Sequence, residues 1–212
     1  MPAFWKLDMS GRAKHWRIYS SQDMTSWRDV NRIAFEFVVY LSPILAFDSV
    51  VKRRSLPDDA PSAERVVREI FTGIAVYDLF FFVCHYAMHM SPSLWKVHKK
   101  HHTFEVTRAR DTARLSGLEE ITDFSCSIAA LNLIGAHPLS RSLYNITIVY
   151  LLHELHSNYS LPWALENIVP FGIVKGARAH AVHHKDGRAY FQKFVGPLSY
   201  LQVLGSPGKM HF

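Results

Sequence analysis

Histidine sets the chemistry of this 212-residue chain. There are thirteen, and ten fall into four short groups: His85 and His89; His98, His101 and His102; His153 and His156; His180, His183 and His184. A helix turns every 3.6 residues, so spacings of three and four return a side chain to the same face. Neutral imidazole suits iron, zinc and other borderline ions. Ten imidazoles are more than one ion can use. The pattern therefore predicts a two-metal, oxygen-activating centre built almost wholly from imidazoles, with coordination positions left for oxygen. No cysteine stands in any group, which argues against a thiolate-rich structural zinc site, although the donors suit zinc as well as iron. The paired Glu-x-x-His of soluble four-helix diiron proteins is also missing. His15 reads as a surface residue, His211 as a tail residue and His137 as lying at the opposite end of the bundle.

The elements that must position these groups are helical and apolar. The chain is 49% hydrophobic and 13% aromatic, with a formal charge of +6. Its apolar residues collect in blocks flanked by basic stretches, a distribution that favours a membrane face over nucleic acid. Residues 1–33 interleave Trp5, Trp16 and Trp27 with Lys and Arg, as an interfacial or surface-packed segment would. They lack the order of a secretory signal. Ile33 to Val51, with Pro43 in its middle, is expected as a kinked membrane helix or a re-entrant pair. Arg65–Met90, Leu118–Leu139 and Ser142–Leu155 follow as further helices, with a short amphipathic helix from Trp95 to His102. The expectation is an all-α fold, a single domain over 1–212. An integral membrane bundle of about four helices with a histidine-rich helical cap occupies 34–190, and a closure occupies 191–212. Cys84 and Cys126 read as reduced packing residues.

If each apolar segment crosses once, the second and fourth end on one side. The loops carrying His98–His102 and His180–His184 lie on that side too, among Lys96, Lys99, Lys100, Arg108, Arg110 and Arg114, which suits a cytosolic face. Asp78 precedes His85 by seven residues and His89 by eleven, so it shares their helix face. A carboxylate in an apolar helix needs a partner. The expected partner is a metal-bound imidazole, and the competing reading is a helix–helix hydrogen bond.

The ordered set resembles the fatty acid hydroxylase/sterol desaturase superfamily of integral membrane enzymes. The matching residues are His85-x3-His89, His98-x2-His101-His102, His156 ahead of Leu161-Pro162-Trp163, and His180-x2-His183-His184, within residues 75–190. The resemblance implies a metal pair of iron, oxygen as co-substrate, and electrons from NADH or NADPH through cytochrome b5 or its reductase. It implies the endoplasmic reticulum membrane, with the active site facing the cytosol. The eight histidines at 85, 89, 98, 101, 102, 180, 183 and 184 would be catalytic ligands, His153 and His156 further ligands, and Glu119 and Asn158 supports for them. Three features depart from the family pattern: Tyr86 where the family has Arg, Ser116-Gly117-Leu118-Glu119 for His-Pro-Leu-Glu, and only Tyr190 and Phe191 echoing the motif after the last group. A divergent member is implied.

The expected activity is oxygen-dependent hydroxylation of an unactivated C–H bond in a lipophilic substrate such as a sterol, fatty acyl, terpenoid or polyketide. Desaturation, epoxidation and oxidative rearrangement are alternatives on the same centre. Lys99 and Lys100 would dock an acidic electron donor or anchor to anionic membrane lipid. Phe80, Phe81, Phe82 and Tyr150 would line a substrate channel or simply pack. The rival class is a non-catalytic membrane metal-binding or transport protein. Polar residues along a path through the bilayer are sparse, however, and no nucleic-acid motif is present.

Overall fold

Ser62 starts the longest helix. Its Oγ accepts the Arg65 N–H at 3.2 Å, satisfying one of the donors a helix N-terminus leaves open. Helix α1, Ala63–Met90, then runs unbroken to Ser91, where the following Pro92 disfavours helical backbone. The computed structural model describes residues 13–19, 38, 49, 57–103, 106–187 and 191–195. Most of the 1–33 segment, nearly all of the first apolar segment and most of the 191–212 closure lie outside the described residues.

Helix α2, Pro92–His98, is capped by Ser91 and followed by a 3-10 turn, His101–Thr103. The expected helix to His102 is thus split in two. Helix α3, Gly117–Leu133, opens on a capping box between Ser116 and Glu119. Helix α4, Pro138–Leu155, begins four residues ahead of the expected Ser142. Pro138 occupies a first-turn position that needs no N–H, and the His137 side chain accepts from Leu139. A single turn, α5, covers Leu165–Ile168. Helix α6, Ala177–Asp186, ends at Gly187, whose φ of +68° is the left-handed stop that glycine adopts without strain. The described residues are all-helical, with two isolated bridges, Arg17 to Tyr159 and Val174 to Val195.

Helix α1 packs against both α3 and α4. Ile74, Tyr77 and Phe81 meet Cys126, Ala130 and Leu131 on one side, and Tyr144, Ile148, Leu151 and Leu155 on the other. Both thiols are free, Cys126 buried and Cys84 partly so, as packing residues. Near the start of α1, Glu69 accepts from Arg65 Nε at 2.7 Å and from the His137 N–H at 2.9 Å. His137 is thereby held at the end of the bundle away from His85 and His89.

The outer faces are apolar. Val67, Phe71 and Val83 on α1, Ile121, Ile128 and Leu133 on α3, and Ile146 and Val149 on α4 are each more than half exposed. No described helix is long and apolar enough to cross a membrane.

Gly73 sits where α1 approaches both neighbours. A Cβ there would lie 3.1 Å from Leu131 Cδ2 and 3.3 Å from the Tyr144 ring. A large side chain must push the helices apart, so Gly73→Leu is expected to cost about 1–3 kcal/mol, read as a lowered thermal unfolding midpoint.

Candidate metal centre

The C-terminal end of α1 delivers His85 and His89, the end of α2 delivers His98, and the following turn delivers His101 and His102. His156 caps α4, and α6 brings His180, His183 and His184. These nine imidazoles form two groups of converging ring nitrogens, each within 4.8 Å. One holds His85, His89, His98, His102 and His183; the other holds His101, His156, His180 and His184. Each His-x-x-His-His triplet feeds both. Neighbouring residues on a helical backbone diverge by about 100°, so His102 joins one group and His101 the other, as His183 and His184 do. The groups adjoin, with the His102 and His184 rings stacked 4.6 Å apart.

The ring tautomers follow from what lies behind each ring. His85 Nδ1 lies 2.8 Å from the Phe191 carbonyl and His156 Nδ1 lies 2.8 Å from the Leu152 carbonyl. A carbonyl can only accept, so both Nδ1 atoms carry the proton. His98 Nδ1 donates to Glu119 Oε1 at 2.6 Å. The Nε2 atoms of these three rings then turn lone pairs inward. In the first group His98 Nε2 stands 3.1 Å from the Nε2 atoms of His85, His89 and His102. In the second, His156 Nε2 is 2.9 Å from that of His180 and 3.3 Å from that of His101.

Opposed lone pairs at this separation repel unless a positive charge lies between them. Burial forbids that charge to be a ring proton. It holds His85, His101, His180 and His184 well below their ordinary range, with repulsion from neighbouring imidazoles adding to the effect. His102 is pushed down to about 2 for the same reasons. A metal bound by nitrogen at about 2.0–2.1 Å needs donors roughly 3 Å apart. The residues present fit a metal ion in each group.

Of the supporting residues expected from sequence, Glu119 hydrogen-bonds to one of the converging rings, His98. While Oε1 accepts the hydrogen bond from His98 Nδ1, Oε2 accepts from Ser116 N–H at 2.7 Å and Ser116 Oγ at 2.6 Å, so one carboxylate both starts α3 and orients a ring. Asp78 does not reach an imidazole, nor does it bridge two helices. Fully buried, it accepts three main-chain N–H groups from Lys193, Phe194 and Val195 at 2.7, 3.2 and 2.6 Å. Asn158 faces away from the rings, its amide exchanging hydrogen bonds with the Tyr19 main chain at 2.8 and 3.0 Å. A φ of +63° turns its backbone out of helix α4. His153 stands outside both groups, its Nδ1 donating to the Val149 carbonyl at 2.7 Å. It lies three residues before His156, which alone passes beyond the end of the helix. Lys99 and Lys100 are exposed beside the first group. Tyr86 packs edge-on against Phe191. The Phe191 carbonyl could not have been found from sequence, because every residue carries one.

Residues 70–202 match the fatty acid hydroxylase family. The chain belongs to that family. A cholesterol 25-hydroxylase-like protein of Danio rerio is 31% identical over 79% of this chain and 67% of its own length. The cholesterol 25-hydroxylase of Homo sapiens is 27% identical over 76% of this chain and 59% of its own. A methylsterol monooxygenase of Aspergillus fumigatus is 25% identical over 77% and 54%. The chain thus spans about half to two thirds of the length of these relatives. No solved structure matches. Membership of the family agrees with the ordered histidine pattern, and the matched span contains all nine converging imidazoles.

Two outcomes follow from the geometry. Glu119→Gln leaves His98 with a weaker acceptor and is expected to lower metal affinity about 10–100-fold, measured by metal titration of the metal-free chain. The imidazoles whose folded pKa is depressed stay neutral in the folded chain, whereas unfolded ones take up protons below about 6.5. The unfolded state then binds more protons, so this contribution is complete above that pH and lost as pH falls below it. The urea midpoint of the metal-free chain should drop between pH 7.5 and 5.5.

Proposed function

We propose that the chain is an oxygen-dependent hydroxylase of unactivated C–H bonds in sterol-like lipids, working at a pair of irons held by the two histidine groups. The observation that carries this reading is the convergence of nine imidazoles, eight of them buried, into two adjoining donor sets. The sterol class is supported by the relatives, which are named as cholesterol 25-hydroxylases and methylsterol monooxygenases.

In overall balance, one C–H becomes C–OH while oxygen takes two electrons and two protons and releases one water. The irons, when bound, would supply oxygen activation and abstraction of the hydrogen. The chain's own residues do the rest. Glu119 and the Phe191 and Leu152 carbonyls hold the Nδ1 protons of His98, His85 and His156, so that each Nε2 stays aimed inward. Phe81 and Phe191 close over His85 at ring-centroid distances of 5.0 and 5.9 Å and exclude water from its side of the centre. Lys99 and Lys100 give an acidic electron donor of the cytochrome b5 type a place to dock beside the first group, with NADH or NADPH as the source of electrons.

The exposed apolar faces of α1, α3 and α4 support a lipid-facing bundle, since contiguous apolar surface of this kind marks a membrane or partner contact. The endoplasmic reticulum membrane, with the histidine end toward the cytosol, is the setting that accommodates both this surface and the basic residues around the centre.

The test is purification under anaerobic, iron-replete conditions, with metal analysis and oxygen-dependent product analysis of cells expressing the chain. About two irons per chain and a product one oxygen heavier are expected. His101→Ala should lose that product and one equivalent of iron while keeping its helical content. A chain that holds no iron and forms no oxidised product would overturn the proposal.

A further inference from the structure

The segment 191–195 crosses the bundle beside the first histidine group, and its attachments have nothing to do with its own secondary structure. Three independent anchors hold it. Asp78, fully buried on α1, accepts the N–H groups of Lys193, Phe194 and Val195. The buried Lys193 ammonium donates to Tyr77 Oη at 2.7 Å and to Asp123 Oδ1 on α3 at 2.8 Å, and lies 3.6 Å over the Phe81 ring. On the far side the Phe194 carbonyl accepts the Lys175 N–H at 2.7 Å, and Val195 bridges Val174.

The free end of this strap meets the metal donors. The Phe191 carbonyl takes the His85 Nδ1 proton, and the Phe191 ring stands 4.9 Å from that of His89 and 5.5 Å from that of His183. The distances agree. Asp78 and His85 are seven residues apart, about 10 Å along α1. A few residues of open chain cover the same distance at roughly 3.3 Å each, so the strap runs back along α1 from its anchor to the ring. A main-chain carbonyl can be placed only by placing the chain that carries it.

We infer that Asp78, with Lys193, is a positioning residue for the first metal group: it sets the register of the 191–195 strap, and through the Phe191 carbonyl it fixes the His85 ring with Nε2 free for the metal. The inference rests on reading the histidine groups as metal sites. It also accounts for a carboxylate seated in an apolar helix among main-chain donors, since three N–H groups offset much of its desolvation. Asp78 touches no imidazole, and its effect falls most directly on the group that contains His85. The strap's link toward the second group, with His101, His156, His180 and His184, is indirect, through the Phe194 carbonyl and Lys175 ahead of α6.

Cobalt(II) titration of the metal-free full chain, followed by its visible absorption, separates these roles. The wild type should bind two ions. Asp78→Asn keeps the side-chain shape but sets an amide N–H against the strap donors. It should bind one ion as before and the other about 10–100-fold more weakly, with helical content unchanged. Lys193→Met leaves the main-chain latch and removes the second anchor, and it should weaken the same single ion. It stands in if Asp78→Asn does not fold. Two wild-type affinities in the folded variant would overturn the inference and leave the proposed function untouched. So would equal weakening of both ions alongside a lowered unfolding midpoint, which is the mark of a merely structural role. A wild-type chain that binds no cobalt would overturn both readings.

Discussion

The structure answers to one electrostatic constraint: nine imidazoles, eight of them buried, whose ring nitrogens converge in two adjoining groups. His85, His101 and His180 could relieve the repulsion by taking a proton, but burial and the other rings oppose that. The arrangement is costly as bare protein and favourable around cations. With ions bound, folding free energy and metal affinity would be coupled here, as in other sites where the ligands exist only in the folded state. The helix bundle supplies what is needed to hold the rings against that cost.

The supports use main-chain groups more than side chains. The carbonyls of Phe191 and Leu152 orient His85 and His156, and one carboxylate, Glu119, orients His98. Glu119 also closes the capping box that begins α3, so the start of that helix and the direction of a donor ring are fixed by a single side chain. Such economy ties the geometry of the centre to the stability of the helices. None of these three rings can turn without disturbing a helix end or the strap at 191–195.

Two histidine triplets interleave to make the paired centre. His98 and His102 face one group while His101 faces the other, and His183 is set apart from His180 and His184 in the same way. A triplet of this form is suited to two adjoining ions because i and i+4 share a face while the residue between them does not. Family membership and sterol-oxidising relatives agree with this arrangement.

The sequence by itself determined where the main helices run, the four clusters of histidines along the chain and the family. Those features rest on local spacing, on capping residues such as Ser62, Ser91 and Ser116, and on side chains whose chemistry is specific to their type. Glu119, which the sequence offered as a support, lies in the first turn of α3 and hydrogen-bonds to His98. Tertiary structure decided the rest. His153 and His156 look equivalent in sequence, yet only His156 passes beyond the end of α4 and joins a group. Asp78 and Asn158 were both expected near the rings, and each instead binds main chain brought from more than a hundred residues away. The physical reason is that a backbone carbonyl or N–H has no signature in sequence. Which one meets a given side chain is settled only when distant segments pack together.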